Sequence, residues 1–476
     1  MPTVIVPAPS PPPVCNLAPR DVEQFVAALA AYHAYFAPAF RRPEQGMWAA
    51  VYLNGLLSDQ PRKNTERIAL TQGVNVRDLQ HFIAQSTWRS EPVIVRHQHL
   101  IADTLGAADG AVLIDESGVV THGQDSVGVA PQYCGAVGKV ANCQVGVYLG
   151  YASATGYTLV DARLYVPEPW FADDHAEQRA LCGIPDDLTF QTKPDLALIL
   201  LRDAVDRGGL PFQWVAVDAL YGDTPAFLDG VAALGKWYFA EVACSTRVWW
   251  RQGQVVVPTW SGRGRRPTKM RLRYPHQHAR RVDAIVRRIP PQCWQRYVIK
   301  EGSKGPIICD FACVRVSGVR DGLPGTPIWL VIRRNVDDPR EIKFYLSNAP
   351  ASTRGAVLAR MSGARWPVEL CFAEGKDAIG LDQYETRSWL GWHHHMLMVA
   401  LAHHFLVLLR VQLHRSAPAL TVEQVRLLLV SVLPKPVFDA AAALRRVRYY
   451  QQRNYVAYLS HRKTRLRQLM AAEPAG

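Results

Sequence analysis

Three acidic residues carry the strongest chemical signal in this 476-residue chain. Asp115 closes the apolar run Ala111-Val112-Leu113-Ile114, and Asp218 closes Trp214-Val215-Ala216-Val217. Short apolar runs that end in a carboxylate are the pattern of buried strands delivering an acid at their tips. The third acid, Glu369, follows Arg365-Trp366-Pro367-Val368. Pro367 suits the first turn of a helix. On a 3.6-residue period Glu369 and Lys376 share one face, which Arg365 enters from just before the helix, whereas Glu374 points away. Converging carboxylates without His or Cys suit Mg²⁺, a hard ion that takes oxygen ligands and keeps several waters. Two such ions can activate an oxygen nucleophile and stabilise a leaving oxygen in phosphodiester cleavage and transfer. Asp115, Asp218 and Glu369 are therefore the expected catalytic groups and metal ligands, holding two Mg²⁺ ions for which Mn²⁺ can substitute. A lone strand-end aspartate is more often a turn or cap residue than a ligand. It is the combination, with a glutamate framed by Arg and Lys, that packing needs alone do not supply. Glu116, Asp223 and Glu374 are the nearest substitutes.

The elements that must position these acids follow from the pattern around them. From Asp21 to about Gly106 the periodicity is helical, and Arg62 to Ala69, Gly73, then Val76 to Phe82 reads helix, turn, helix. Such a pair can place basic residues such as Arg62 and Lys63 in a DNA groove, or be a plain helical hairpin. After Gly110 the chain alternates: strands ending at Asp115 and Asp218, strands over Cys143–Tyr151 and Tyr157–Val166, helices over Asp195–Asp206 and Thr224–Leu234, and a strand over Trp237–Val242. Between 244 and 350 it turns to short Val/Trp/Tyr/Ile runs broken by Gly, Pro and Arg, a β-rich insertion. Helix returns from Trp366 to Gly380 and from Gly391 to Leu413, and a basic helix runs from Ala440 to Leu469. The expected organisation is a loose Pro-rich tail over 1–20, a helical DNA-binding region over 21–106, an α/β catalytic core over 107–243 and 351–415 with the insertion over 244–350, and a basic helical region over 416–476.

Composition narrows the partner. Lys and Arg total 54 against 41 for Asp and Glu, a net +13. A surplus of that size favours a polyanion such as nucleic acid, although a generally Arg-rich composition gives the same balance. Nine scattered cysteines do not resemble a disulfide framework, and a reducing cytoplasm fits them best. Cys309 and Cys313 read as core residues on one strand face. The apolar stretch Met396–Leu413 is interrupted by His403, His404 and Arg410, so it reads as a buried helix and no membrane is expected. Consecutive histidines His393-His394-His395 point in three directions and cannot chelate one ion; they read as mostly structural, with at most one of them, His395, facing the Glu369 helix.

Two further groups have a possible DNA role. Trp249, Trp250, Trp260, Trp294 and Trp329 lie among Arg263, Arg265, Arg266, Arg271 and Arg273, an arrangement that can stack on a splayed base while holding phosphates. Filling a small β core is the simpler account of the tryptophans. Arg445, Arg446 and Arg448 open a cationic run with interleaved tyrosines, suited either to DNA or to a solvated helix face.

Arg365, Glu369 and Lys376 resemble the Tyr-x2-Arg-x3-Glu-x6-Lys signature of bacterial insertion-sequence DDE transposases, with Ser362 where that signature has tyrosine. The likeness extends to Asp115-Glu116-Ser117-Gly118, Ser126 to Val129 and Asn142 to Val147, Asp218-Ala219-x-Tyr221-Gly222, Gly380-Leu381-Asp382-x-Tyr384-Glu385-x-Arg387 and Leu53 to Ser58. The resemblance implies a ribonuclease H-like core and Mg²⁺-dependent cleavage of double-stranded DNA at the element's terminal inverted repeats. Attack of the freed 3′-hydroxyl on target DNA would follow, by a homodimer on paired ends, with Arg365 and Lys376 on phosphate near the site. Two other functions remain: a domesticated, non-catalytic DNA-binding protein, and a nuclease without strand transfer.

Overall fold

The computed structural model describes residues 14–250, 253–302, 305–435 and 437–471. Most of the expected Pro-rich tail, residues 1–13, lies outside them. Five helices come first: α1 (Pro19–Phe36), α2 (Pro43–Leu57), α3 (Thr65–Gln72), α4 (Val76–Ala84) and α5 (Ser90–Leu105). Between α3 and α4 the chain turns at Gly73, which takes φ 70°, a left-handed conformation that glycine adopts without cost. Asn64 and Asn75 cap the two helices through their side-chain oxygens.

The α/β part follows as β1 (Ala111–Val120), β2 (Ala130–Cys134), β3 (Lys139–Ala152), β4 (Tyr157–Tyr165), α6 (Ala176–Cys182), α7 (Lys193–Arg207), β5 (Trp214–Val217), α8 (Ala219–Gly222), α9 (Pro225–Ala233) and β6 (Trp237–Val242). Next come β7 (Arg247–Val248), β8 (Val255–Val256), β9 (Arg271–Leu272), β10 (Arg280–Arg281), α10 (Val282–Val286), β11 (Trp294–Gly302), β12 (Gly305–Arg320), β13 (Leu323–Asn335) and β14 (Ile342–Ser347). The chain closes with α11 (Gly355–Met361), α12 (Trp366–Ile379), α13 (Trp389–Leu413), α14 (Val422–Val432) and α15 (Ala440–Ala471).

Ten strands form one mixed sheet in the order β11-β12-β13-β14-β6-β5-β1-β3-β2, with β4 on β3. Among the described residues only β1–β5 and β5–β6 are parallel, and these three strands are its centre. They are buried along almost their whole length up to the acids, which is why they read as unbroken apolar runs rather than alternating ones. The strands of 294–347 do not build a sheet of their own. They continue the central one, because β14 pairs antiparallel with β6 from Phe344↔Val242 to Ser347↔Phe239.

Helix α12 packs on β1, β3 and β4, and α13 lies against β4 while α2, α4, α5 and α14 gather around it. By length and apolarity α13 could cross a membrane, but most of its side chains are buried inside this assembly. Several of its histidines find partners there, while His393 Nε2 and His404 Nδ1 are buried without one among the described residues. The His394 ring stacks on Trp88 at 3.7 Å, and His395 meets the Tyr52 hydroxyl at 2.8 Å and the Gly380 carbonyl, at the end of α12, at 3.2 Å. Among the described residues all nine cysteines are free, and Cys309 is buried in β12 with Cys313 half-buried.

Candidate active site

Parallel pairing of β1 with β5 sets Leu113 beside Ala216, so both chains run on in the same direction to their acids two residues later. Asp115 lies within β1, which continues to Val120, and is only 8% exposed. Asp218 is the first residue after β5 and caps the single turn α8, accepting a bond from the Leu220 amide at 3.0 Å. Glu369 sits in the first turn of α12, where the partial positive charge of the helix end favours a carboxylate.

Arg365 joins the acids. Its guanidinium donates one N–H to Asp115 Oδ2 and another to Glu369 Oε1 at 2.8 Å. A fork of this kind matches two carboxylates at once. Burial pushes the Asp115 carboxyl up to about 7 against the pull of Arg365, and the neighbouring charge of Asp218 adds to the rise. Asp218 is raised as well, by burial first and by Glu116 second. These acids are thus placed where ionisation calls for a cation.

Among the described residues no three His, Cys, Asp or Glu side chains close on one point as a ready ligand set. The guanidinium of Arg365 stands between Asp115 and Glu369. The donors themselves fit a divalent metal. All are carboxylate oxygens, and buried Asp115 and half-buried Asp218 repel each other, which suits Mg²⁺ or Mn²⁺ rather than zinc. Beside them opens a cavity of about 510 Å³ lined by Asp115, Glu116, Tyr133, Glu369, Phe372 and Lys376, among others. Glu369 and Lys376 therefore face the same space. Glu374 does not: it accepts from Tyr157 Oη at 2.8 Å and meets buried His403 at 2.9 Å, fixing α12 to β4 and α13.

Glu116 has a part that spacing alone did not assign. It accepts from Tyr221 Oη at 3.0 Å and from Lys193 Nζ at 3.1 Å, so the middle of β1 is tied to the turn that carries Asp218. The same turn is pressed against β6. A Cβ built on Gly222 would collide with the Glu241 carbonyl oxygen and lie 3.0 Å from its carbon. Lys300 of β11 is another group missed from sequence; its ammonium rests over the Trp366 ring at 4.9 Å, within electrostatic reach of Glu369.

The expected DNA-binding residues divide. Arg62 is exposed and pairs with Glu385 at 2.8 Å. Arg445 and Arg448 are exposed on α15, and Arg446 donates to the Leu70 carbonyl at 3.1 Å. Arg445 and Arg446 also line a larger cavity, about 570 Å³, between α2–α3 and α14–α15, which none of the three acids lines. Lys63 must be corrected. It is 3% exposed, donates to the Ser58 carbonyl and packs on Gly380, and burial lowers its ammonium to about 7. A phosphate cannot reach it there. Trp294 is half-buried, with the Arg334 guanidinium over its ring at 4.1 Å and the ring packed on the core. Trp249 is buried, and among these tryptophans Trp260 is half exposed.

Two comparisons bear on this arrangement. A family model described as DDE superfamily endonuclease matches residues 35–306, more than half of the chain; the match includes Asp115 and Asp218 and ends before Glu369. A probable transposase for insertion sequence element IS701 of Microchaete diplosiphon is 30% identical over 172 residues, 36% of this chain and 41% of that protein. The aligned part thus spans less than half of that relative's length.

Proposed function

The chain belongs to the DDE superfamily endonucleases, and from that membership we propose that it is the transposase of an insertion sequence, cutting double-stranded DNA at the element's ends and joining the freed 3′-hydroxyl to target DNA. The observation that carries this reading is the meeting of Asp115, Arg365 and Glu369 beside the strand end that bears Asp218. In it, residues 107–243 and 351–415 make a ribonuclease H-like core, 244–350 its insertion, and the helical segments before and after it hold DNA. The protein works in the cytoplasm beside the nucleoid, as a homodimer on paired ends.

Asp115, Asp218 and Glu369 would hold two Mg²⁺ ions, which when bound supply an activated oxygen nucleophile and a stabilised leaving oxygen. The rest falls to the protein. Tyr221 and Lys193 hold Glu116, and through it the turn of Asp218, so that the two aspartates keep their spacing. The clamp of Glu374 on Tyr157 and His403 fixes the rotation of α12 and so the direction of Glu369. Arg365 and Lys376 bind the phosphates of the strand being cut, Arg365 exchanging its carboxylate partners for phosphate oxygens.

A supercoiled plasmid carrying the element ends tests this. With Mg²⁺ the wild type nicks it and yields joined products, while Asp115→Ala and Glu369→Ala do neither. Equal nicking by all three proteins removes the site, and no nicking by any of them leaves a non-catalytic DNA-binding protein. Cleavage without joined product leaves a nuclease.

A further inference from the structure

The antiparallel pair β8–β9 is two residues long, in the register Val255↔Leu272, and is extended by the bond from the Arg273 amide to the Gln254 carbonyl at 2.8 Å. Its connection, residues 257–270, carries Arg263-Gly264-Arg265-Arg266 at the tip, all exposed. Gly262 and Gly264 take φ 81° and 74°, and a Cβ on either would meet nothing within 4 Å. The turn is closed by the Trp260 indole N–H, which donates to the Gly264 carbonyl at 3.1 Å.

Charge at this tip is unopposed. No acid occurs between Glu241 and Asp283, and Asp283 is taken by Arg281 at 2.6 Å. Among the described residues Arg263, Arg265, Arg266 and Lys269 form no ion pair, so a polyanion is the partner they lack. Shape narrows the choice. The paired part of the ribbon is too short to lie as a two-stranded reader along a major groove. The minor groove is about 6 Å wide, and glycine between two arginines brings no Cβ to hold the backbone off its floor. Two residues span at most about 7 Å, close to two base-pair steps of about 3.4 Å. A·T tracts narrow that groove and concentrate negative potential where arginine enters, while the guanine amino group obstructs it.

We propose that this tip reads the minor groove of A·T-rich duplex DNA, with Arg263 and Arg265 entering the groove and Trp260 holding the turn. The inference rests on the chain acting on DNA, but not on its catalytic site.

The test is fluorescence anisotropy without metal on the full chain. Two labelled duplexes of equal length are compared, one with a central A·T tract and one G·C throughout, using wild type and Arg263→Ala/Arg265→Ala. The wild type binds the A·T duplex about tenfold more tightly, an excess of about 1.4 kcal/mol. Netropsin, a minor-groove ligand, removes the preference, and the double variant loses it while its unfolding temperature stays unchanged. Equal wild-type affinity for both duplexes overturns the proposal. So does a preference that survives in the variant, or a variant that weakens equally on both, which would mean phosphate contact alone. Preferential binding of single strands that is lost in Trp260→Ala would replace groove reading with base stacking. Failure of the wild type to bind any DNA would overturn the transposase reading itself.

Discussion

Gly222→Ala isolates the placement of Asp218 from its chemistry. The glycine ends the turn that Asp218 opens, its amide bonding the Asp218 carbonyl at 2.9 Å. An added methyl would strike the backbone of Glu241 on β6, with its carbonyl carbon at 3.0 Å and the Val242 side chain at 3.2 Å. The obstacle is a central strand and cannot yield cheaply, so α8 must withdraw by roughly 1 Å to restore ordinary contact. A displacement of about 1 Å at a reacting centre costs on the order of 100-fold in rate. Crowding of this kind also costs about 1–3 kcal/mol of stability. Plasmid nicking and thermal unfolding are measured together, with Gly235→Ala as the control. That glycine has φ 70° and open space around it, so its variant bears about 1 kcal/mol of backbone strain without moving Asp218. Wild-type nicking by Gly222→Ala, or an equal rate loss in Gly235→Ala, would refute the reasoning.

Further outcomes follow from particular contacts. Glu374→Ala leaves Tyr157 and buried His403 without their acceptor and should cost about 3 kcal/mol in denaturant unfolding, whereas Glu374→Gln keeps the shape and should cost about 1. Burial lowers His97 and His393 to about 3, and His394 and His395 to about 4, all below the ordinary value near 6.5. Between pH 6.5 and 4 the unfolded chain therefore binds more protons, and stability falls as pH falls, by up to about 5 kcal/mol at pH 5.5 for the four together. The raised carboxyls of Asp115 and Asp218 offset part of it, so the unfolding temperature should drop from pH 7.5 to 5.5; a rise would contradict the buried-histidine account. Lys63→Met should leave duplex affinity and its salt dependence unchanged because the ammonium is buried, while Arg448→Ala, on an exposed helix face, should lower the salt slope by about one.

Much of this could be read from sequence because the central strands carry their message locally. A run buried on both faces is apolar throughout, and an acid at its end stands out; the expected strand Trp237–Val242 matches β6 residue for residue. The α3–Gly73–α4 corner was legible for the same reason, from a glycine between two helical runs; that Asn64 and Asn75 cap the two helices was not read. What was hidden depends on partners far along the chain. Alternation within β14 does not say that its neighbour is β6, about a hundred residues earlier, so the strands of 294–347 looked like a separate body. Arg62-Lys63 reads as a basic surface, yet Lys63 is covered by Gly380 and Gln383. Spacing set Arg365 beside Glu369, but only the fold brings its guanidinium to Asp115, 250 residues away.

Anomalous scattering from crystals grown with Mn²⁺ tests the metal assignment most directly. The account predicts manganese bound by Asp115, Asp218 and Glu369, with the Arg365 guanidinium turned off the carboxylates. Manganese bound elsewhere, or absent while Arg365 still bridges Asp115 and Glu369, would contradict it.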